Sequence, residues 1–588
     1  MRIAVKLAML SCALTSSALA QFGIPLPSQV APQERRPPVE ADTAPVTPLP
    51  PAAPARGVSA AGLHVTLSAV EVTGAFDDVT QREDPFAAII GRSVDLHEIQ
   101  QAVAALQAAY DSAGFALVRI VMPPQTLRDG GTMRLLVVDG YIESVQADGV
   151  PAPVRTAVRA RLASLVGQRR LRWSQLERQV LLAGELPGLR LGSALLPGVT
   201  EDGGVRLAVD GVFESASARA SADSELPISL GRYALNCSLI LNSPLRLGDQ
   251  WLFSQTRGLG SAEHGHAPLN STSVGVVLPV GATALTIAPQ AVRAETAPED
   301  APGVPASTGA FRRLSTTLGY TFSVRRTGRL DGELGLERIW QSQRAVDFGV
   351  DLNRDDYHSL RLQSRGEYVA LPGHVLRASM GAGLGLGGRT QARAQESGTP
   401  LSRQGASPRF RKLDADVSDD WSLGDRWSLR TRVLAQASFG RPLLRPELLS
   451  LDGADAVSTF RSGELAFDQG MVARVELQRV AEARVPGGRW ILRPYAFGAA
   501  GHGHLFQATA SEPLGESAHA VGLGWRSDSF DMTGSAQLHL EIESARGWSN
   551  WPRPQGRTTW LAWPPGTSSP EAREVAVREV ETLPSTEP

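Results

Sequence analysis

Two histidine pairs are the first residues whose spacing suggests chemistry. His264 and His266, and again His502 and His504, are each separated by a single residue. On a β-strand such a pair shares one face, and two imidazoles on one face are a common part of a metal site. Both pairs, however, lie beside glycine in segments predicted to be outer loops, where histidine is solvated. We therefore expect no metal at either pair.

Two further patterns match catalytic motifs only in outline. Gly383–Gly388 fits the G-x-G-x-x-G pattern of nucleotide loops, but no helix is readable after it. Glycine alternates with apolar residues in this stretch, which favours a β-strand whose glycine face leaves space for a neighbour. Asp419 and Asp420 fall at a predicted strand end and are interpreted as solvated. The sequence contains no G-x-S-x-G, H-E-x-x-H or P-loop motif, so it predicts neither an enzyme nor a cofactor.

Composition excludes some classes of protein without selecting one. The 588 residues carry a formal net charge of −2, which gives no argument for nucleic-acid binding. No run of about 18 apolar residues occurs beyond the N-terminus, so a helical membrane protein is not expected. A hydrophobic content of 42% with 20% charged residues suits a soluble protein. It equally suits an outer-membrane barrel, because each barrel strand is apolar on one face only.

The N-terminus has the form of a secretory signal peptide over residues 1–20. Two basic residues precede the apolar run Leu7–Leu14, and small residues lead to a predicted cleavage site after Ala20. One of the two cysteines lies inside this segment, so Cys237 is left without an intramolecular disulfide partner. Residues 21–60 are rich in proline, which predicts an extended linker.

The largest part of the chain, residues 215–563, alternates between apolar and polar residues with period two. The clearest sample is Asp425–Gly440, in which Trp427, Leu429 and Val433 fall on one parity while arginine, serine and glutamine fall on the other. Alternation of this kind gives a strand with two different faces. The pattern recurs at Leu314–Val324, Arg329–Glu337, Ala473–Gln478 and Ala536–Glu543. So many two-faced strands predict a closed barrel with lipid outside and a wet lumen.

Between the linker and the barrel the sequence predicts two successive small β-α-α-β-β units, over residues 61–140 and 141–214. The predicted helices are Asp95–Ala113, Val154–Val166 and Trp173–Ala183. The predicted strands are Val65–Val72, Phe115–Val121, Thr132–Val138, Tyr141–Gln146, Leu189–Leu196 and Gly204–Phe213. These patterns by themselves indicate only two small α+β domains.

A run of motifs in the first unit resembles the first POTRA domain of two-partner secretion transporters, the FhaC/ShlB/HecB haemolysin secretion/activation family. The matching residues, in order, are Gly114, Arg119, Pro124, Gln125, Gly130 and Gly140. The second unit is similar to a second POTRA domain. The resemblance implies a membrane β-barrel of about 16 antiparallel strands preceded by two small α+β POTRA domains. Some members of the family carry a plug helix before the first POTRA domain. The Pro-rich segment, residues 21–60, is a poor match for such a helix.

Connection lengths agree with a barrel of that size. Short connections are predicted at 326–328, 371–373, 423–425 and 484–488. Long connections alternate with them at 295–309, 343–357, 389–408 and 441–469. Bacterial barrels have short periplasmic turns and long outer loops. The strands then number about 16 and end near Trp563, before a charged tail over residues 564–588.

The longest connection, residues 441–469, resembles the lumenal loop of the family. That loop carries a Val-Arg-Gly-Phe/Tyr tetrad followed by Asp-x-Gly. Val457, Phe460, Asp468 and Gly470 match in spacing, whereas Ser458 and Thr459 replace the arginine and glycine of the tetrad. A plain outer loop is the alternative interpretation of this segment.

In the family, the tetrad arginine pairs with an aspartate of a Phe-x-Asp-x-Gly motif on the inner barrel wall. Phe497 and Gly501 match that motif, but Ala499 stands where the aspartate would be. Both partners of the ion pair are therefore absent. Loss of one partner alone would leave a buried charge unpaired, which costs about 3–5 kcal/mol. We expect the loop to be held differently, by Arg461 or by packing of Phe460.

The resemblance implies a pore in the cell outer membrane, with its POTRA domains in the periplasm. Its partner would be a large secreted exoprotein of the haemolysin/adhesin type, captured in extended form by strand addition to a sheet edge. The predicted edges are Phe115–Val121 and Leu189–Leu196. Two alternatives remain open, an assembly factor that inserts other barrels and a passive porin or receptor.

Overall fold

The computed structural model describes most of the chain between residues 26 and 562. The described residues are 26–30, 43–47, 64–80, 84–200, 202–261, 267–300, 305–485, 488–509, 512–531, 537–550 and 557–562. The predicted cleavage site at Ala20, the pair His264/His266 and the predicted tail lie outside the described residues.

The first α+β unit packs one long helix on a four-stranded sheet. Its helices are α2 (Asp77–Thr80) and α3 (Leu96–Ser112), and its strands are β2 (His64–Thr73), β3 (Ser93–Asp95), β4 (Val118–Val121) and β5 (Gly131–Asp139), in the order β3-β2-β5-β4. A capping box between Asp95 and Glu98 begins α3. The Tyr110 ring is fully buried, and its hydroxyl accepts a hydrogen bond from the Phe76 amide at 3.0 Å.

The second unit repeats this plan with two helices. Its elements are β6 (Tyr141–Gly149), α4 (Ala152–Leu162), α5 (Trp173–Gly184), β7 (Leu189–Pro197) and β8 (Gly204–Phe213). Val154, Val158, Leu176 and Val180, which recur at helical spacing, are buried against the sheet. The two units are also joined by backbone bonds, since the Ala116 amide donates to Leu171 at 2.8 Å.

The Pro-rich segment is not only a linker, which corrects the prediction for residues 21–60. Strand β1 (Thr43–Thr47) pairs in parallel with β7, giving a sheet in the order β1-β7-β8-β6. Helix α1 (Pro27–Val30) packs against two barrel strands and the turn Arg445–Glu447. Leu26 is buried there, and Pro27 fills the space beside Gly309. Tertiary contacts therefore order short pieces that proline content alone marks as irregular.

The barrel begins directly after the second unit. Its strands are β9 (Ala216–Asp223), β10 (Ala234–Asn242), β11 (Gln250–Gly258), β12 (Leu269–Pro279), β13 (Leu285–Thr296), β14 (Ser307–Arg325), β15 (Gly328–Ala345), β16 (Val350–Leu371), β17 (His374–Gly388), β18 (Arg411–Leu423), β19 (Trp427–Ala437), β22 (Gln469–Arg479), β23 (Ala481–Val485), β24 (Gly488–His504), β25 (Gly515–Asp531), β26 (Gln537–Ser549) and β27 (Arg557–Ala562). Neighbours pair antiparallel, and the sheet closes between β27 and β9. Because β22 and β23 both pair with β24, these segments amount to sixteen strands in the described part of the chain.

Side chains alternate between the two faces of the barrel. In β22, Met471 and Val475 face outward and are 56% and 46% exposed, whereas Arg474 and Glu476 face the lumen and are 3% and 2% exposed. The interior is therefore polar, and the exterior is apolar. The predicted barrel preceded by two small α+β units is confirmed.

Connections are short at the end of the barrel next to the second unit, which we call the inner end, and mostly longer at the outer end. One predicted long connection, 343–357, is wrong. Strand β15 continues to Ala345 and β16 begins at Val350, so a four-residue turn joins them. The outer halves of these strands carry polar residues on both faces, and the alternation that identifies a strand is lost there. The other outer connections include helix α6 (Gln391–Ser397) and the short strands β20 (Leu449–Ser450) and β21 (Ala466–Phe467).

An ion-pair cluster fixes the second unit to the inner end of the barrel. Arg329 of β15 bonds to Glu185, just after α5, and to Asp331. Arg326 pairs with Glu177 of α5 at 3.0 Å in a more exposed setting.

Replacing Arg329 by glutamine should loosen the second unit, because it leaves the buried Glu185 carboxylate without its charged partner. Hydrogen exchange of the α5 amides should rise roughly 100-fold. The matched control Arg326→Gln should change exchange less than about fivefold, since exposed pairs contribute about 1 kcal/mol or less. Equal effects of the two variants would contradict this account of the anchor.

Candidate functional site in the barrel lumen

The connection between β19 and β22, residues 438–468, lies inside the barrel and is anchored at its base by a buried carboxylate. Glu447 accepts hydrogen bonds from both Arg361 at 2.8 Å and the Tyr357 hydroxyl at 2.8 Å, and it pairs with Lys412 at 3.1 Å. A buried charge is tolerated only when it is paired and hydrogen-bonded. Three barrel residues therefore hold this part of the loop against the wall.

A second buried carboxylate, that of Asp468, joins three outer connections. Asp468 pairs with Arg403 at 2.6 Å and accepts hydrogen bonds from the amides of Leu443 and Phe506, both at 2.7 Å. Gly470, two residues later, has no room for a side chain, because a Cβ atom there would lie 2.5 Å from the His502 carbonyl oxygen. The predicted Asp-x-Gly element thus ties the end of the loop to its neighbours.

The tip of the loop packs on the inner face of β24, β25 and β26. Val457 and Phe460 belong to a buried apolar cluster that includes Phe497, Ala499 and Ala520 on the wall. Small wall residues make this close approach possible. At Gly547 a Cβ atom would lie 1.9 Å from the Thr459 hydroxyl, so only glycine fits there while the tip is seated.

The predicted wall motif lies beneath the tip, but no carboxylate comes from it. Ala499 is buried in the apolar cluster, and Gly501 approaches the side chain of Val472. Arg461 does not reach Ala499. Its guanidinium donates to the Leu226 carbonyl in the connection between β9 and β10, at 2.9 Å. Phe460 packs in the apolar cluster and Arg461 bonds to the β9–β10 connection, so both residues expected to hold the loop contact the barrel.

Several residues of the site were not predicted from the sequence, among them Glu447, Arg403 and Arg474, and Arg474 lies nearest the tip. It lies on β22 opposite Ala499, and its guanidinium carbon is 3.7 Å from the centroid of the Phe497 ring. It donates to the Ser458 hydroxyl at 3.0 Å and pairs with Glu476 and Glu543 on the wall. The alternation of β22 could have shown that Arg474 faces the lumen. It could not have shown which part of the loop lies opposite that side chain.

The predicted motif residues of the first unit shape its turns and its junction with the second unit. Gly114 and Gly130 have φ angles of 85° and 74°, a region that suits glycine. A Cβ atom at Gly140 would lie 2.4 Å from the Leu117 carbonyl oxygen, so a side chain would separate the units. Pro124 lies in the connection between β4 and β5, and Arg119 lies on β4.

Two glutamine side chains complete the sheet of the first unit. Gln125 exchanges two hydrogen bonds of 2.8 Å with the backbone of Arg134, beyond the end of β4. Gln107 of α3 does the same along the outer edge of β4, donating to the Val118 carbonyl at 3.0 Å and accepting from the Ile120 amide at 3.1 Å. A primary amide presents the same donor and acceptor as a peptide group. The β4 edge is therefore satisfied from within the chain.

The second predicted edge, Leu189–Leu196, is not free, because β1 pairs with β7 along it. The prediction of an open edge there is wrong, since the Pro-rich segment folds back onto the second unit. The sheet edge formed by Phe115–Val121 is present but shorter, and its regular part is Val118–Val121.

The remaining motifs are parts of the barrel. His502 and His504 lie on β24 and not in a loop, and His502 bonds to the Ser517 hydroxyl at 2.9 Å. Within the described ranges no group of three or more His, Cys, Asp or Glu side chains is arranged to hold a metal ion. Gly383–Gly388 belongs to β17, where Gly381 and Gly383 accommodate side chains of β18. No helix in the described residues is long and apolar enough to cross a membrane.

A sixteen-stranded barrel that carries two small α+β units and an inward-folded loop has the architecture of an outer-membrane polypeptide transporter. The family model "haemolysin secretion/activation protein ShlB/FhaC/HecB" matches residues 216–526, and the ShlB-type POTRA model matches residues 65–140. The chain belongs to this family of two-partner secretion transporters. The two small units correspond to its POTRA domains.

Solved structures share the fold over nearly the whole chain. CdiB from Escherichia coli superimposes with a TM-score of 0.65 at 18% identity, covering 94% of this chain and 96% of that one. CdiB from Acinetobacter baumannii gives a TM-score of 0.55 at 16% identity, with coverage of 94% and 97%. No match is found among the curated proteins.

The close contact at Gly547 gives a direct test of the seated tip. Gly547→Val should displace the tip, because its side chain would occupy the position of Thr459. Trypsin cleavage after Arg461, which is buried in the seated loop, should become at least about tenfold faster, as overpacking costs about 1–3 kcal/mol. Gly498→Val is the control, since nothing lies within 4 Å of that position. Unchanged cleavage in the Gly547 variant would place the tip elsewhere.

Proposed function

We propose that this protein exports one large secreted exoprotein of the haemolysin/adhesin type across the outer membrane, with its POTRA domains in the periplasm. The observation that supports this most is a transporter-family barrel whose lumen contains its own loop, anchored to the wall, so that we take the pore to be closed at rest. A pore that is closed at rest suits an exporter, which must not leak between substrates. A passive porin needs an open lumen and has no use for POTRA domains.

Capture of the exoprotein begins at the edge of β4 in the first POTRA domain. An extended segment of the exoprotein adds there as a further strand, bonding to the Val118 carbonyl and the Ile120 amide. Gln107 holds both groups in the resting protein, so the incoming backbone replaces a side-chain amide by a peptide group. The Val118 carbonyl and the Ile120 amide are therefore hydrogen-bonded both before and after docking, and the released Gln107 amide bonds to water.

The second POTRA domain offers an edge only after a rearrangement. Strand β1 covers β7, so a segment of the exoprotein pairs with β7 only if Thr43–Thr47 leave. The captured chain then enters the barrel, where the loop of residues 438–468 has to move aside. The polar lumen face, with residues such as Arg430 and Asp420, carries an unfolded polypeptide past side chains that can hydrogen-bond to it.

Deleting the gene should remove one large protein from the culture medium, and restoring it should bring that protein back. Comparison of the secreted proteins of the two strains makes the measurement. Depletion of many different outer-membrane barrels would instead identify an assembly factor. Normal secretion combined with altered uptake of small solutes would identify a porin.

Two substitutions at the β4 edge should have opposite effects on binding the N-terminal segment of that secreted protein. Ile120→Pro removes the edge amide, which makes no bond to β5, and should weaken binding roughly tenfold. Gln107→Ala removes the competing amide and should strengthen binding by a few fold. Isothermal titration of the purified full-length protein in detergent makes the comparison. Effects of the same sign would argue against strand addition at this edge.

A further inference from the structure

Two arginines occupy neighbouring positions in one transverse row of the barrel wall. Arg432 of β19 is the register partner of Arg474 of β22, and Arg474 is the partner of Ala499 of β24. All three positions face the lumen at the level of the loop tip. Two guanidinium groups, each paired with carboxylates of the wall, therefore lie next to the position where the family carries its aspartate.

Both arginines bond to acceptors supplied by the loop. Arg474 donates to the Ser458 hydroxyl at 3.0 Å and to the Ala456 carbonyl at 3.4 Å. Arg432 pairs with Asp455 of the loop as well as with Asp416 of β18. The tip thus presents a hydroxyl, a carbonyl and a carboxylate to the wall, and it contributes no cation to these contacts.

The loop has no space for the arginine that the family carries. Ser458 is fully buried, and its hydroxyl also donates to Glu543 on β26. Glu543 and Glu476 both pair with Arg474, so the wall itself supplies the counter-charges of that guanidinium. The Arg474 side chain lies over the Phe497 ring beside Ala499, in the space that an aspartate and its partner would share.

We propose that the lumenal loop of this protein is latched with inverted polarity. The wall provides the cations, chiefly Arg474 with Arg432 beside it, and the loop tip provides the acceptors. The absence of both residues of the family's ion pair is therefore a replacement and not a loss. This inference rests on the proposed function only in treating the loop as the gate of the pore. The contacts themselves are independent of the exported protein.

Arg474→Met tests the latch in the purified full-length protein. Its single-channel open fraction in planar lipid bilayers should rise at least about tenfold, because two hydrogen bonds from a charged donor to the tip are lost. Arg526→Met is the matched control. Arg526 is similarly buried and shares Glu476 with Arg474, but its bonds to Glu476 and Glu541 remain on the wall. An open fraction in Arg474→Met no higher than in Arg526→Met would overturn the proposal.

A second arm restores the family's own polarity. Ser458→Arg alone should open the pore, because it places a cation against Arg474. In the background of Arg474→Met and Ala499→Asp, the same substitution should return the open fraction to near that of the unmodified protein. Ser458→Met is the size control in the second background: it should leave the pore open, so that recovery with arginine reports its charge and not the space made by Arg474→Met. Opening of similar size in both backgrounds would overturn the proposal.

These recordings use no exported protein, so they separate the latch from the export proposal. Loss of the latch effect with intact secretion would contradict the inverted polarity alone. If the recordings confirm the latch but deletion of the gene removes no secreted protein, the export proposal alone is contradicted.

Discussion

A charge enclosed in a narrow barrel must be paired, and this constraint governs the interior of the protein. Period-two alternation in a closed sheet sends every second side chain into the lumen. Those side chains include arginine, aspartate and glutamate from many strands, and unpaired burial of one of them costs several kcal/mol. The structure meets this constraint in two ways. Wall residues pair with each other across strands, as Glu476 does with Arg474 and Arg526. The loop also supplies a counter-charge, because its Glu447 pairs with Arg361 and Lys412 of the wall.

The loop consequently fills part of the lumen and pairs with the charges of the wall. Its base and its end are fixed by buried ion pairs, at Glu447 and Asp468. Its tip is held by apolar packing, by bonds from Arg474 and Arg432 of the wall, and by the bond from Arg461 to the Leu226 carbonyl. Small residues opposite the tip, with Gly547 the clearest, fix where it is seated.

In both POTRA domains, a sheet edge is covered by another part of the same chain. An exposed edge is a template for pairing with another chain, so an edge that is needed for one partner has to be shielded from others. Gln107 shields β4 with a side-chain amide, and β1 shields β7 with a strand of the same chain. Both shields satisfy the backbone without adding a permanent covering. This arrangement is compatible with a surface that opens to a specific extended polypeptide.

The barrel, the two α+β units and the approximate positions of their elements could be predicted from the sequence, because alternation and helical spacing are local properties. Asp95–Ala113, for example, is α3 with its caps. Val457, Phe460 and Asp468 of the predicted loop motif lie in one connection, and Gly470 lies at the start of β22. Local pattern fails where both faces of a strand are polar, as in the outer halves of β15 and β16, and where order comes from distant contacts, as in α1 and β1. Which side chains meet across the lumen could not be predicted, because it depends on how distant strands are paired. Arg474 is 16 residues from Ser458 and 69 from Glu543 in the chain. Barrel register, which no local pattern encodes, brings the three together.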